Sequence, residues 1–172
     1  MVRKKYYGLL CFASKYCNTN FCHAFYSNEL KEGIANTLIV ISSFSDDDKW
    51  KFKVHQTVDD IFSKINQKKE WENISKYLCG LCEASPEVVV KYIQDGIKNK
   101  NGIIELFDDH NDDYQFGETH FNEYVVSTLE MLLQLNDFYM DSLEALWQLN
   151  DMTYGKKVNE TISRVLRTVL MP

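Results

Sequence analysis

Apolar side chains recur every three or four positions along most of this chain, which is the period of an amphipathic α-helix. Clear stripes follow Leu30–Ile41, Val54–Ile65, Trp71–Cys82 and Phe121–Leu133. The β-branched stretch Thr37–Ile41 also fits a strand, but no neighbouring segment alternates as a partner, so a helix is favoured. The predicted helices are two pieces within 4–26 and segments that cover Ser27 or Asn28 to the acidic run 46–48, His55 to Asn66, Trp71 to Cys82, Pro86 to Ile97, Phe121 to Leu133, Tyr139 to Leu149 and Asn159 to Val169. A short helical turn is expected at Ile103 to Phe107.

Turn and cap residues divide these stripes into helix pairs. Ser85, Pro86 and Glu87 are the strongest helix start, with a capping hydroxyl, a proline at the first position and a carboxylate at the positive end of the dipole. Asn159 is expected to cap the last helix. Almost nothing separates the helices on either side of Ser85, so these two should form an antiparallel pair.

Pairs recur about every 40 residues, which is the period of HEAT-like repeats. The fold expected is all-α, with seven to nine short helices in antiparallel pairs. They form either a HEAT-like α-α superhelix or a compact right-angled bundle. With 172 residues, two prolines and seven glycines, the chain has no obvious linker. A single all-α helical-repeat domain covering 1–172 is therefore predicted.

Charge and hydropathy limit the partners and the cellular compartment that are expected for this chain. The net charge of −6 argues against nucleic-acid binding, which relies on clustered cations. No apolar run approaches the about 20 residues of a membrane span. Arg3-Lys4-Lys5 before Tyr6–Ala13 resembles the start of a signal peptide, but the apolar run is short and Lys15 follows closely. A cytoplasmic protein without nucleic-acid or membrane partners is expected.

The cysteines offer a possible metal site. Cys79 and Cys82 form a Cys-x-x-Cys pair, and Cys17 and Cys22-His23 add further soft ligands for zinc. However, Cys82 lies on the apolar stripe of its own helix, where a reduced thiol acts as a small hydrophobic group. With Cys11, the chain has an odd number of cysteines, typical of reduced thiols. No metal site is predicted, and whether Cys17, Cys22, Cys79 and Cys82 meet in space stays open.

A second candidate for metal binding is the acidic segment between two predicted helices, from Asp108 to His120. Its carboxylates could gather calcium or magnesium. The EF-hand spacing is not met, because anchoring the motif on Gly117 places Tyr114 and Phe116 where oxygen ligands are needed. A solvated loop is the preferred interpretation.

No group of residues predicts catalysis. The four histidines, His23, His55, His110 and His120, have no acidic partner at a diagnostic spacing. The chain lacks a P-loop and a Gly-x-Gly-x-x-Gly motif, so no cofactor and no catalytic residue is predicted. Aromatic residues at helical spacing indicate core positions, and Trp50 and Trp147 are alternative candidates for an interaction face.

From Trp71 onward the chain resembles helical-repeat regions of large, poorly characterised bacterial multidomain proteins. The segments that carry this resemblance are Leu81–Glu87, His120–Glu130 and Thr161–Pro172. Some of those proteins carry a P-loop NTPase domain and resemble antiphage defence proteins. Val158 and Val169 depart from the family, which has proline and tryptophan there. The resemblance implies a fold and no active site, and it implies that the chain is part of a longer protein.

The favoured function is a non-catalytic helical-repeat module that acts as a scaffold or sensor for a protein partner in a bacterial cytoplasmic assembly. Two alternatives stay open. A viral immune modulator of Bcl-2-like fold would have one central apolar helix surrounded by six or more others, whereas a repeat module would stack successive pairs. A metal-dependent enzyme would use the Asp108–His120 segment.

Overall fold

The computed structural model describes residues 27–45, 47–108, 120–156 and 158–171. Over these residues it contains nine α-helices, one 3₁₀ helix (Asn136–Phe138) and no β-strand, which confirms the all-α prediction. The two helices predicted within 4–26 lie outside the described residues. The α-helices are α1 (Asn28–Phe44), α2 (Asp48–Phe62), α3 (Lys68–Ser75), α4 (Leu78–Ala84), α5 (Pro86–Lys98), α6 (Gly102–Glu105), α7 (Phe121–Leu132), α8 (Tyr139–Met152) and α9 (Val158–Leu170).

Helix α1 includes the β-branched stretch that was also compatible with a strand. The Ser27 hydroxyl accepts a hydrogen bond from the Leu30 amide at 3.3 Å and so satisfies an orphan donor of the first turn. Leu38 and Ile41 are buried on the inner side of the helix. The strand alternative is therefore wrong, because burial of the helical stripe outweighs the local β propensity.

Helix α2 begins two turns before the predicted start at His55. The Asp47 carboxylate accepts a hydrogen bond from the Lys49 amide at 3.0 Å, and this cap starts the helix at Asp48. The helix also ends at Phe62, before the predicted end at Asn66. Both differences arise at helix ends, where local hydrogen bonds decide the boundary and the apolar stripe does not.

The single helix predicted from Trp71 to Cys82 is two helices. A tight turn separates α3 from α4, and the Tyr77 amide donates to the Ile74 carbonyl at 2.8 Å within it. This break directs α4 onto α1, where Gly80 faces the side chains of Ala35 and Ile39. The helical spacing alone continues through the turn, so the break follows from tertiary packing.

Helices α1 and α4 lie side by side and run in the same direction. At their beginnings, the Tyr77 hydroxyl donates to the Asn28 side-chain oxygen at 3.1 Å. At their ends, the Ser42 hydroxyl donates to the Ala84 carbonyl at 2.9 Å. The first helices of the first two pairs are thus parallel neighbours.

The second helices of those pairs, α2 and α5, are also parallel. His55 contacts Glu87 at 2.8 Å, and one turn later Asp59 lies 3.9 Å from Lys91. Ser85 alone separates α4 from α5, so the chain must reverse there. The pairs α1–α2 and α4–α5 are therefore stacked side by side in two layers.

The third pair, α7–α8, continues this order. Helix α7 packs on α4, α8 packs on α5, and α9 packs on both α7 and α8. The Gln94 amide of α5 donates to the Asp141 carbonyl of α8 at 3.1 Å. Helix α5 touches many neighbours, yet one side of it is exposed at Lys91 and Asp95, so it is not an enclosed central helix.

Short helices α3 and α6 follow the first two pairs and pack on each other. Their contact is made by backbone: the Gly102 amide donates to the Asn66 carbonyl at 3.2 Å. A Cβ on Gly102 would overlap the backbone of Gln67 and Lys68. Glycine is therefore required here because the starts of α3 and α6 approach too closely for a Cβ to fit between them. An unusual φ is not the reason.

Candidate functional site

The Cys-x-x-Cys pair lies within α4. The Cys79 sulfur lies 3.4 Å from the Thr128 hydroxyl of α7, and Cys82 is 1 % exposed. Burial, with smaller effects of Cys79 and Glu83, raises the pKa of the Cys82 thiol from 9.0 to about 12. A metal ligand needs the thiolate, which this environment disfavours. Cys17, Cys22 and His23 lie outside the described residues.

The acidic segment is described only at its two ends. The Asp108 carboxylate accepts a hydrogen bond from the Lys156 ammonium at 2.6 Å, and Lys156 also donates to the Phe107 carbonyl at 3.2 Å. His120 stands immediately before α7. The candidate ligands between them, including His110, lie outside the described residues. Across the parts of the chain that are described, no three His, Cys, Asp or Glu residues cluster as a metal site.

The structure brings together Ser85, His55 and Glu87, a group that the sequence spacing did not reveal. Glu87 lies 2.8 Å and Ser85 3.3 Å from the same nitrogen, Nδ1 of His55. A nucleophile–base–acid relay needs the two partners on opposite ring nitrogens. The group therefore joins α2 to the start of α5 and is not arranged for nucleophilic catalysis.

The same contacts correct the expected role of Ser85. Its position before Pro86 is the predicted N-cap position, but its side chain makes no capping hydrogen bond to α5. The hydroxyl turns to His55 instead, and Pro86 needs no partner at the first helical position because it has no N–H. The helix start was predicted correctly, whereas the capping bond was not.

Helix α8 and the turn after it carry large apolar side chains on their solvent side. Met140, Trp147 and Tyr154 are 71 %, 52 % and 86 % exposed. Met140 and Trp147 are two helical turns apart within α8, and Tyr154 lies in the turn that follows it. We call these three residues the α8 stripe. Trp50, the other tryptophan considered for an interaction face, is half-buried beneath Lys53, whose ammonium lies 5.4 Å from its ring. The stripe is thus the larger exposed aromatic feature of the two.

A polar cluster joins α8 to α9 beside this stripe. The Asn159 amide donates to the backbone and side-chain oxygens of Asn150 at 2.9 and 3.1 Å. The Ser163 hydroxyl donates to the Asn150 side-chain oxygen at 2.9 Å. Asn159 therefore does not cap the last helix, which begins one residue earlier at Val158. Its side chain fixes the position of α9 against α8 instead.

The outer face of α9 carries Arg164 and Arg167, which we call the arginine patch. Both side chains are exposed, and neither forms an ion pair with a described residue. A concavity of about 600 Å³ runs along this face. The described residues that line it all have polar side chains: Asn159, Glu160, Thr161, Ser163, Arg164, Arg167 and Thr168.

Sequence reasoning placed Trp147 on the apolar stripe of its helix while also naming it as a candidate for an interaction face, and it singled out neither arginine. The arginines could have been noticed by their rarity, since the chain contains only three.

Among the described helices, none combines the length and apolar character that crossing a membrane requires. Comparison with protein-family models, with curated proteins and with solved structures finds no match for this chain.

Proposed function

We propose that this chain is a non-catalytic helical-repeat module that binds a protein partner, as a scaffold or sensor in a bacterial cytoplasmic assembly. The observation that carries the proposal is the exposed α8 stripe of Met140, Trp147 and Tyr154. Large aromatic and Met side chains are enriched at the centres of protein interfaces, where they contribute much of the binding energy.

The stacking of the helix pairs supports the repeat part of the proposal. Helices α1 and α4 are parallel in one layer, and α2 and α5 are parallel in the other. In a repeat module each unit contacts its neighbours along the stack and leaves an extended surface for a partner. The Bcl-2-like alternative is less well supported, because α5 has an exposed charged side and is not enclosed.

Two arrangements support a non-catalytic role. The raised pKa of the Cys82 thiol opposes nucleophilic and metal chemistry. The Ser85–His55–Glu87 group uses a single ring nitrogen of His55. The bacterial and cytoplasmic parts of the proposal rest on the resemblance of the chain from Trp71 onward to helical-repeat regions.

Site-specific photo-cross-linking in the native cells tests this proposal. A benzophenone amino acid replaces Trp147 in the α8 stripe, and in the matched control it replaces Lys91 on the exposed face of α5. We expect irradiation to join position 147 to a discrete protein and to give no such product from position 91. Equal products from both positions, or none from position 147, would contradict the proposal.

A further inference from the structure

We infer that the arginine patch binds the carboxylates of an acidic peptide segment in the protein partner. This inference rests on the proposed function and names the chemistry of the partner. Arg164 and Arg167 would contact the acidic side chains, and the neighbouring α8 stripe would contact an apolar residue of the same segment.

The distribution of charge is the first support. The chain has a net charge of −6 and three arginines, of which two stand one turn apart on the exposed side of α9. Neither is neutralised by a described carboxylate, although Glu160 lies one turn before Arg164. Two guanidinium groups that form no ion pair with a described carboxylate, on a chain of negative net charge, are complementary to an anionic segment.

The chemistry of the lining is the second support. A guanidinium group offers a planar set of donors that matches a carboxylate with two parallel hydrogen bonds. The hydroxyl of Thr161 lines the same concavity and offers a further donor for a carboxylate or backbone oxygen, whereas the Thr168 hydroxyl already donates to the Arg164 carbonyl at 3.1 Å. The Asn150–Ser163 hydrogen bond holds α9 in place, so the donors are presented on a fixed helix.

The position of Trp147 adds an apolar component. Helices α8 and α9 pack together across a short turn, so they run in opposite directions. Trp147 lies one turn before Asn150, and Arg167 lies one turn after Ser163. Both therefore border the same section of the α8–α9 boundary. A segment lying along it would meet the ring of Trp147, which the exposed Glu144 and Asp151 flank on α8, and the cations of α9. An apolar residue therefore fits against α8, and acidic residues fit against the arginines of α9.

Nucleic acid fits this surface less well. Its affinity comes from many cations that neutralise successive phosphates. The patch offers two arginines beside Glu160, within a chain whose net charge repels a polyanion. An acidic peptide needs only a few carboxylates and also uses the aromatic ring.

Fluorescence anisotropy with two labelled synthetic peptides tests the inference on the full chain. One peptide carries a single Glu-Glu-Trp-Glu sequence, and the other has glutamine at every glutamate position. We expect the acidic peptide to bind at least about ten-fold more tightly than the glutamine peptide. The double variant Arg164→Gln/Arg167→Gln should lose at least about ten-fold in affinity for the acidic peptide, since charge-assisted hydrogen bonds are removed.

The matched control Lys91→Gln/Lys98→Gln removes the same charge from the exposed side of α5 and should change the affinity less than about two-fold. The variant Arg164→Lys/Arg167→Lys keeps the charge and should recover only part of the affinity, because lysine lacks the planar donor set. Equal binding of the two peptides, equal loss in the control, or tighter binding of a single-stranded oligonucleotide would overturn the inference.

The two proposals fail in different ways. Cross-linking from position 147 that persists undiminished in Arg164→Gln/Arg167→Gln would retain the protein-binding function and reject the acidic segment. Cross-linking that is absent while the acidic peptide still binds through the arginines would reject the cellular function and retain the chemistry of the patch.

Discussion

Helices α5 and α8 occupy neighbouring positions in the same layer, yet their solvent sides differ. Helix α5 exposes the charged residues Glu87, Lys91 and Asp95. Helix α8 also exposes charged residues, Asp141, Glu144 and Asp151, but between them it exposes the large apolar side chains of Met140 and Trp147. Both helices bury branched apolar residues on the opposite side, so their roles in the core are alike.

This difference distinguishes the residues that folding requires from those that binding would explain. The buried side of each helix is set by its neighbours in the stack, whereas the solvent side is free to be charged, as on α5. Exposed tryptophan and methionine contribute little to folding, and large exposed apolar patches favour association. The surface of α8 is therefore better explained by a partner than by stability.

The sharpest test of this comparison uses two adjacent residues of α8. Leu146 is 0 % exposed, whereas Trp147 is 52 % exposed. Leu146→Ala should lower the free energy of unfolding by about 3 kcal/mol, because it removes transfer energy and leaves a cavity. Trp147→Ala should change it by less than about 1 kcal/mol. Urea unfolding measures both, and a larger loss for Trp147→Ala would show that the α8 stripe serves folding.

A second test concerns the contact between the start of α3 and the start of α6, the short helix that follows α5. Gly102→Ala should destabilise the fold by about 2 to 3 kcal/mol, since the new methyl group overlaps the backbone of Gln67 and Lys68. Gly33, on the exposed side of α1, is the control: apart from its chain neighbours and the backbone of its own helix, no atom of the described residues lies within 4 Å of its added Cβ. Gly33→Ala should stabilise by about 0.5 to 1 kcal/mol. Thermal unfolding that ranks the two variants the other way would contradict the contact between α3 and α6.

The smallest effect on stability is expected in alkaline solution, where the buried thiol of Cys82 in α4 ionises. The pKa of Cys82 is raised from 9.0 to about 12, so the unfolded chain releases this proton first. Its contribution to stability is full below pH 9 and is lost as the pH rises towards 12. The slope is at most about 1.4 kcal/mol per pH unit.

Urea unfolding between pH 8 and about 9.5, below the ordinary tyrosine pKa of about 10, reports mainly on this thiol. At higher pH, Tyr77 and Tyr92 add to the fall, because burial raises the pKa of both in the folded state. Cys82→Ala should flatten the fall in stability, whereas Cys79→Ala should leave it in place. An unchanged slope in Cys82→Ala would mean that the buried thiol does not control the alkaline response.

The apolar stripes predicted most of the described helices, and Pro86 marked the start of α5. The start of α2 at Asp48 was missed because a local cap, Asp47, decides it. The other errors fell where packing decides: the break at Tyr77 and the side chains of Ser85 and Asn159. Each polar side chain had a local capping role available and also a distant partner. A single sequence does not show that partner, because His55 and Asn150 come close only after the helices pack.

The sequence by itself determined an all-α chain, since helical periodicity and turn residues act over a few neighbouring positions. Only the tertiary structure decided that α1 and α4 are parallel, that Gly102 lies against another connection, and that Trp147 and the arginine patch share one boundary. The physical reason is distance along the chain. Contacts between helices depend on how whole helices pack, from the Asn150–Ser163 bond across one turn to the His55–Glu87 contact between stacked pairs, and the candidate binding surface is formed by contacts of this kind.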